Sequence, residues 1–281
     1  MGSILETLPP TGAGRARGLV SSPKSGSRIE ATSYAPAEDL RDVVSAYWSG
    51  RWDLRGQPPH TTELLGDPCV HFVFERGGEE AGSRLVGVWT RLWQRKLRDR
   101  GRVRGVKLRA GALRAFVEAP AHRFRNRIVP LEAVFAPDAL TIGRAILDPD
   151  DDAEAFGACN AWLRTRRRDD PQTPLAVAIA ERIAADRSVH TVEQLAKVAG
   201  LSVRPLQRLF REHVGATPKW VIRRHRLQEA ALRIEAGETG TLARLAAELG
   251  YTDQAHLARD FKSAVGKAPR DFAALVAADR V

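Results

Sequence analysis

The stretch LAAELGYTDQAHLARDFKSAVGKAPRDF, residues 245–272, decides the fold of the C-terminal part of this 281-residue chain, because most of it occurs twice. LAKVAG at 195–200 corresponds to LAAELG at 245–250. With one extra residue in the second turn, Leu206, Arg208 and Phe210 match Leu257, Arg259 and Phe261, and Val214, Gly215 and Pro218 match Val265, Gly266 and Pro269. A repeat of this kind predicts one supersecondary unit used twice: a short helix, a glycine turn and a second helix.

Local chemistry places each piece. Thr191 and Gln194 have the spacing of a capping box, and Val192, Leu195, Ala196 and Ala199 fall at i, i+3, i+4 and i+7. Gly200 can end that helix in the left-handed conformation, and Ser202 is placed to cap the next. Pro205 is tolerated there because first-turn N–H groups have no intrahelical partner. In this second helix Leu206, Leu209 and Phe210 form the apolar face, while Arg204, Gln207, Arg208 and Arg211 recur on the opposite one. In the second copy Thr241 caps the leading helix, Gly250 ends it, and Asp253 caps a helix that buries Leu257, Phe261 and Ala264. Gln254, His256, Arg259 and Lys262 lie on its other face. Between the copies Thr217-Pro218 reads as N-cap and N1 and Gly237 as the stop. Leu227, Ala230, Ala231 and Ile234 give the buried stripe of a connecting helix over 218–236. At about 1.5 Å per residue it spans roughly 28 Å, close to the roughly 34 Å between successive major grooves on one face of DNA.

Charge supports a polyanionic partner only through its placement. The chain carries 44 Lys and Arg against 34 Asp and Glu, a net +10, and the excess divides evenly across Pro171. From Arg204 to Arg226, however, Arg204, Arg208, Arg211, Lys219, Arg223, Arg224 and Arg226 face Glu212 alone. Such a strip is either a solvated helix face or a polyanion-binding surface. The doubled unit, with a donor face on each second helix, favours DNA.

The remainder gives an α+β multidomain chain. Residues 1–30, rich in Gly, Pro and Ser with no apolar period, predict a disordered tail. Residues 31–147 predict a β-rich domain, with strands over Tyr47 to Leu54, Cys69 to Glu75, Arg84 to Trp89 and Val103 to Arg109. A period of two in CVHFVFE puts Val70, Phe72 and Phe74 on one face and Cys69, His71, Val73 and Glu75 on the other. Residues 148–174 predict a helix opened by DPDDDAE and running through Trp162, then a charged linker, RTRRRDDPQTP at 164–174. Residues 175–281 are all-helical. No apolar run approaches the roughly 20 residues of a bilayer crossing, and the N-terminus has no signal-like apolar stretch. Cys69 and Cys159 have no CxxC spacing, which excludes a disulfide framework or zinc ribbon. The expectation is a cytoplasmic protein with no membrane partner.

Residues 175–275 resemble the DNA-binding domain of the AraC/XylS family of bacterial transcription regulators, most closely through the stretch at 245–272. In that family the second helix of each copy reads bases in the major groove. The resemblance therefore implicates Arg204, Gln207 and Arg208 in the first copy, and Gln254, Ala255, His256 and Arg259 in the second. Ala255 and Ala258 depart from the polar residues often found there, although an alanine methyl can pack against a thymine methyl. Arg211, Lys219, Arg223, Arg224 and Lys262 are the expected phosphate contacts. Through PHTTELLGDPCVHFVFE (59–75), GVKLRAGALRAF (105–116) and RIVPLEAVF (127–135), the first domain is similar to N-terminal domains of an actinobacterial AraC-type subgroup. These resemble the cupin-like effector and dimerisation modules of the wider family. The resemblance implies double-stranded DNA as partner and admits a homodimer, a small-molecule effector and a contact with RNA polymerase.

Trp48, Trp52, His71, Glu75 and Trp89 are candidates to line an effector pocket, and are equally the expected core of a small β domain. Cys69, His71 and Glu75 share a strand face, but the HxH spacing usual in cupins is absent, so no metal is expected. No nucleophile, base and orienter can be paired from spacing, so no catalytic residue and no cofactor are expected. The readings from other classes are a cupin-type metalloenzyme fused to a DNA-binding domain, and a DNA-binding dimer that takes no effector.

Overall fold

Alternating apolar and polar residues build an antiparallel sheet of six strands in the order β1-β2-β7-β4-β5-β8. These are β1 (Ile29–Tyr34), β2 (Val44–Asp53), β4 (His71–Gly77), β5 (Gly82–Val86), β7 (Arg100–Leu108) and β8 (Ile128–Pro130). A ribbon of β3 (His60–Leu64) and β6 (Trp93–Leu97) forms a second, two-stranded sheet. The computed structural model describes residues 29–78, 80–237 and 240–278.

The period-two reading of β4 holds. Phe72 and Phe74 are fully buried on the face covered by α1 (Glu132–Phe135), α2 (Ala139–Leu147) and α3 (Asp152–Arg166), where Phe72 meets Phe116, Phe135 and Trp162 edge-on. Val73 lies on the other face with Trp52, Leu54, Leu97 and Val103, under the β3–β6 ribbon. On that face the Trp48 ring lies directly over Gly105 and the Trp52 ring over Gly101. A Cβ at either glycine of β7 would overlap the indole, so these two positions require the absence of a side chain.

Several boundaries differ from expectation. Ile29 and Glu30, read as the end of a tail, are strand and pair with Trp52 and Arg51; residues 1–28 of that tail lie outside the described residues. The strand read as Arg84 to Trp89 stops at Val86, where Gly87 is pressed against the Phe124 carbonyl and donates its N–H to Arg127 O at 3.0 Å. Ribbon strands β3 and β6 were not foreseen, because HTTEL and WQRKL carry no clear apolar alternation and are defined by pairing with each other.

The expected linker is also corrected. Arg164, Thr165 and Arg166 form the last turn of α3, and the next residues are tied down: Arg167 ion-pairs with Asp42, and the Arg168 N–H donates to Ala115 O at 2.7 Å. Asp170 accepts from Arg114 Nε at 3.0 Å and lies 2.9 Å from His213 Nε2, joining the β domain to the helical region. Burial opposes ionisation of Asp170, yet bonds from His213, Arg114 and Thr173 hold its carboxyl down at about 2. A carboxylate depressed below its unfolded value stabilises the fold above about pH 4 and loses that contribution as pH falls through the folded value. Asp170→Asn is therefore expected to lower the melting temperature at pH 7 and to show a shallower loss of stability between pH 4 and 2 than the parent protein, measured by thermal denaturation across that range.

Among the described residues the α-helices that follow are α4 (Thr173–Ala185), α5 (Val192–Val198), α6 (Val203–Leu209), α7 (Pro218–Ala236), α8 (Leu242–Glu248), α9 (Gln254–Val265) and α10 (Pro269–Ala278). The apolar core does not stop at the domain boundary. Phe72, Leu113 and Phe116 share one cluster with Ala176, Val177, Leu195, Leu206, Phe210, Val221 and Ile222. A separate cluster holds the C-terminal part of α7 with Leu245, Leu257, Phe261 and Phe272, and includes Leu65 with Leu92 packed against it. Among the described residues no helix is long and apolar enough to cross a membrane.

Candidate DNA-binding interface

The two helical units form as their caps dictate. Thr191 and Gln194 make the full capping box, Gly200 adopts φ +64°, and the Thr241 and Asp253 side chains accept from the backbones of Arg244 and His256. The connecting helix α7 runs over the expected residues, with Thr217 accepting from Trp220 N and Gly237 ending it. Ser202 occupies the N-cap of α6, but its side chain makes no capping bond. One feature was not anticipated. After Leu209 the first unit continues as a π-helical turn, Phe210–Val214, closed by Gly215 N to Phe210 O at 2.7 Å. The matching turn of α9 closes one residue tighter, Gly266 N to Lys262 O at 2.9 Å. Gly215 abuts the Ala121 backbone, so the widened turn lies where the first unit meets the β domain.

Both second helices keep their polar faces in solvent. On α6 and the turn after it Arg204, Gln207, Arg208 and Arg211 are exposed; on α9 Gln254, Ala255, His256, Arg259 and Lys262 are exposed and Ala258 is half-buried. The His256 ring stands edge-on to Tyr251, 5.1 Å between centroids.

Helix α7 fixes one unit against the other through contacts not visible in local sequence. Arg223 Nε donates to Asp260 of α9 at 2.8 Å, the Arg226 guanidinium lies 3.9 Å over the Tyr251 ring, and Arg233 pairs with Glu248 of α8 at 2.6 Å. His190, just before the first unit, packs on Gly250 in the turn of the second.

The basic strip therefore divides. Arg211, Lys219 and Lys262 are exposed; Arg223 is 36% exposed on its side chain and committed to Asp260. Arg224 is a correction. It is 6% exposed, donates from Nε to Gly66 O of the β domain at 2.8 Å, and pairs with Gln228, so it cannot meet a phosphate. The signal was present: the buried stripe Leu227, Ala230, Ala231 and Ile234, extended back three residues, lands on position 224. Arg224→Ala is expected to cost about 1.5–3 kcal/mol, the range for a hydrogen bond to a charged group. It should leave the salt dependence of DNA binding unchanged. Denaturant unfolding and a salt titration check the two statements.

Beside this contact the Asp67 carboxyl, though burial opposes it, is held well below the usual range by Lys107, His71 and Arg224, with Lys107 Nζ at 2.7 Å. Lys267 of the second unit donates to Glu63 of β3 at 3.0 Å. The β domain thus touches both units.

Of the pocket candidates, Trp48, Trp52, His71 and Glu75 do share the face under the ribbon. Trp48 and His71 meet edge-on at 6.2 Å. Trp52 is 4% exposed, and its Nε1 donates to Arg98 O at 2.9 Å. Glu75 is corrected: it is 1% exposed and neutralised by Arg84 at 2.5 Å and by Arg95, which leaves no free carboxylate for a ligand. Trp89 stacks edge-on against Trp93, 4.7 Å away. Among the described residues no group of three or more His, Cys, Asp or Glu is placed to hold a metal ion.

A helix-turn-helix domain family matches residues 195–274. The C-terminal region is an AraC-type helix-turn-helix domain. Residues 32–130 match a domain of unknown function (DUF6597). Similarity to curated proteins extends over a comparable length. An uncharacterized HTH-type transcriptional regulator of Haemophilus influenzae is 33% identical over 81 residues, 29% of this chain and 27% of that protein. The XylDLEGF operon transcriptional activator of Pseudomonas putida is 32% identical over 83 residues, 29% of this chain and 26% of its own length. The matched stretch thus spans about a quarter of either relative. Among solved structures, a transcriptional regulator from Chromobacterium violaceum, of the AraC-type DNA-binding domain-containing proteins, is 20% identical with a TM-score of 0.35, covering 38% of this chain and 95% of that one.

Proposed function

We propose that this chain is a sequence-specific transcription regulator that binds double-stranded DNA, with α6 and α9 set into successive major grooves. The observation that supports this most is that both helices hold their donor faces in solvent while α7 locks their relative placement. Arg204, Gln207 and Arg208 would meet base edges in one groove, and Gln254, Ala255, His256 and Arg259 in the next. Arg211, Lys219 and Lys262 would meet phosphates, which fix register but carry no sequence information. The β domain, docked on both units, serves as a sensing or dimerisation module, and an effector would meet Trp48 and His71 beneath the ribbon.

Arg208→Ala or Arg259→Ala should each cost about 1–3 kcal/mol on the preferred site and relax base preference at one position. Lys219→Ala should weaken all sequences alike and flatten the salt slope by about one. Fluorescence anisotropy on selected and scrambled duplexes measures both. An unchanged base preference in both arginine variants would refute the assignment of the two reading helices.

A further inference from the structure

The two reading helices correspond residue for residue in sequence, and their faces are chemically different. N-caps Ser202 and Asp253, buried pairs Leu206/Leu257 and Phe210/Phe261, and terminal glycines Gly215 and Gly266 all fix one offset of 51 residues. At that offset Arg204 corresponds to Ala255, Gln207 to Ala258, Arg208 to Arg259 and Arg211 to Lys262. The first helix thus presents four long donors. The second keeps a cation at the two later positions and replaces the two earlier donors by methyl groups, one exposed and one half-buried. The exposed donors Gln254 and His256 lie on either side of Ala255 rather than at its position, and the His256 ring stands edge-on to Tyr251.

Resting on the reading of α6 and α9 as DNA readers, we infer that the chain recognises a bipartite site of unlike halves. The half under α6 contains guanine, gripped through O6 and N7 by Arg204 or Arg208. The half under α9 is read through thymine C5-methyl groups packed on Ala255 and Ala258, with Arg259 the one arginine left for a guanine. These pairings follow from the base-edge pattern of the major groove, where a guanine offers two acceptors to a guanidinium and a thymine offers an apolar methyl. Ala255 and Ala258 are then specificity-determining residues because they carry no donor. A guanine or adenine set against them would lose the water on its acceptors and gain no bond.

The test uses the full chain and duplexes recovered by in vitro selection, with affinity read by anisotropy. Deoxyuridine in place of thymine removes only the methyl group, and in the α9 half it should weaken binding about fourfold per contacted methyl. The same exchange in the α6 half should change nothing, whereas 7-deazaguanine there should weaken binding roughly tenfold by removing one of the two acceptors of a bidentate contact. Ala255→Arg, which restores the residue of the first unit at an exposed helical position, should shift the selected base opposite it from thymine to guanine. Ala255→Gly should abolish the deoxyuridine penalty at one thymine, with circular dichroism confirming the helix. Tolerance of deoxyuridine throughout the α9 half, or an Ala255→Arg variant that selects the same site as its parent, overturns the inference. So does recovery of a direct repeat of one half-site, while leaving DNA reading itself intact. If selection instead enriches no sequence at all, it is the underlying assignment as a sequence-specific binder that fails.

Discussion

Arg104→Met is expected to lower the stability of the protein by about 3–5 kcal/mol, the range for removing one partner of a buried ion pair. Arg104 is 0% exposed on β7. Its Nε donates to Asp152 at 2.7 Å, Nη1 to the carbonyls of Ile146 and Pro149 at 2.6 and 2.8 Å, and Nη2 to Asp150 O at 3.1 Å. One guanidinium thus holds the whole turn between α2 and α3 onto the sheet. Methionine can occupy much of the volume, but it takes the donor from the Ile146 and Pro149 carbonyls and the buried cation from Asp152, which keeps the Tyr34 hydroxyl at 2.7 Å, while Asp150 O keeps Arg51 at 2.6 Å. Lysine would not rescue, because an ammonium on a flexible stem cannot reproduce a planar fork that serves four acceptors. Urea unfolding followed by tryptophan fluorescence measures the loss. A change below about 1 kcal/mol, the scale of an ordinary surface pair, would show that water supplies these bonds equally well.

The second large effect is expected at Glu75→Gln, about 3–5 kcal/mol, because it takes the buried carboxylate from between the Arg84 and Arg95 cations. Their side chains are 9% and 12% exposed, and among the described residues the other acid near them is Glu80, 45% exposed, 3.4 Å from Arg84 and 3.9 Å from Arg95. This variant separates two roles. A structural Glu75 shifts the denaturant midpoint and leaves DNA affinity at saturating stability unchanged. A ligand-binding Glu75 would leave the midpoint in place and alter only the response to a small molecule.

The helical region was legible in sequence because its determinants are local. Thr191 with Gln194, Thr217 before Pro218, and Asp253 three residues before His256 declare the start of each helix within a single turn, and Gly237 declares an end. The solvent-facing positions of α6 and α9 were legible for the same reason, since an exposed face is the complement of an apolar period. Position 224 was misread because counting charges along a strip ignores the 100° step between neighbours: Arg223, Arg224 and Arg226 point to Asp260, to Gly66 and over Tyr251. The β3–β6 ribbon, the tie from Asp170 to His213 and the neutralisation of Glu75 join residues far apart in the chain, and no local pattern announces them.

The continuous core has a consequence for how the molecule comes apart. The first helical unit shares its buried side chains with the sheet, while the second is organised around the distal part of α7 and meets the β domain at its rim through Leu65, Leu92 and Glu63. Cooperative units follow buried contacts rather than chain order. The seam of weakest cohesion therefore runs across the middle of α7, near Leu227, and not through residues 164–174. Under mild denaturation amide protons of α8 to α10 should exchange first and as a group. Excision at residue 174 would strip the first unit of the buried side chains it shares with the sheet and leave the second nearly whole.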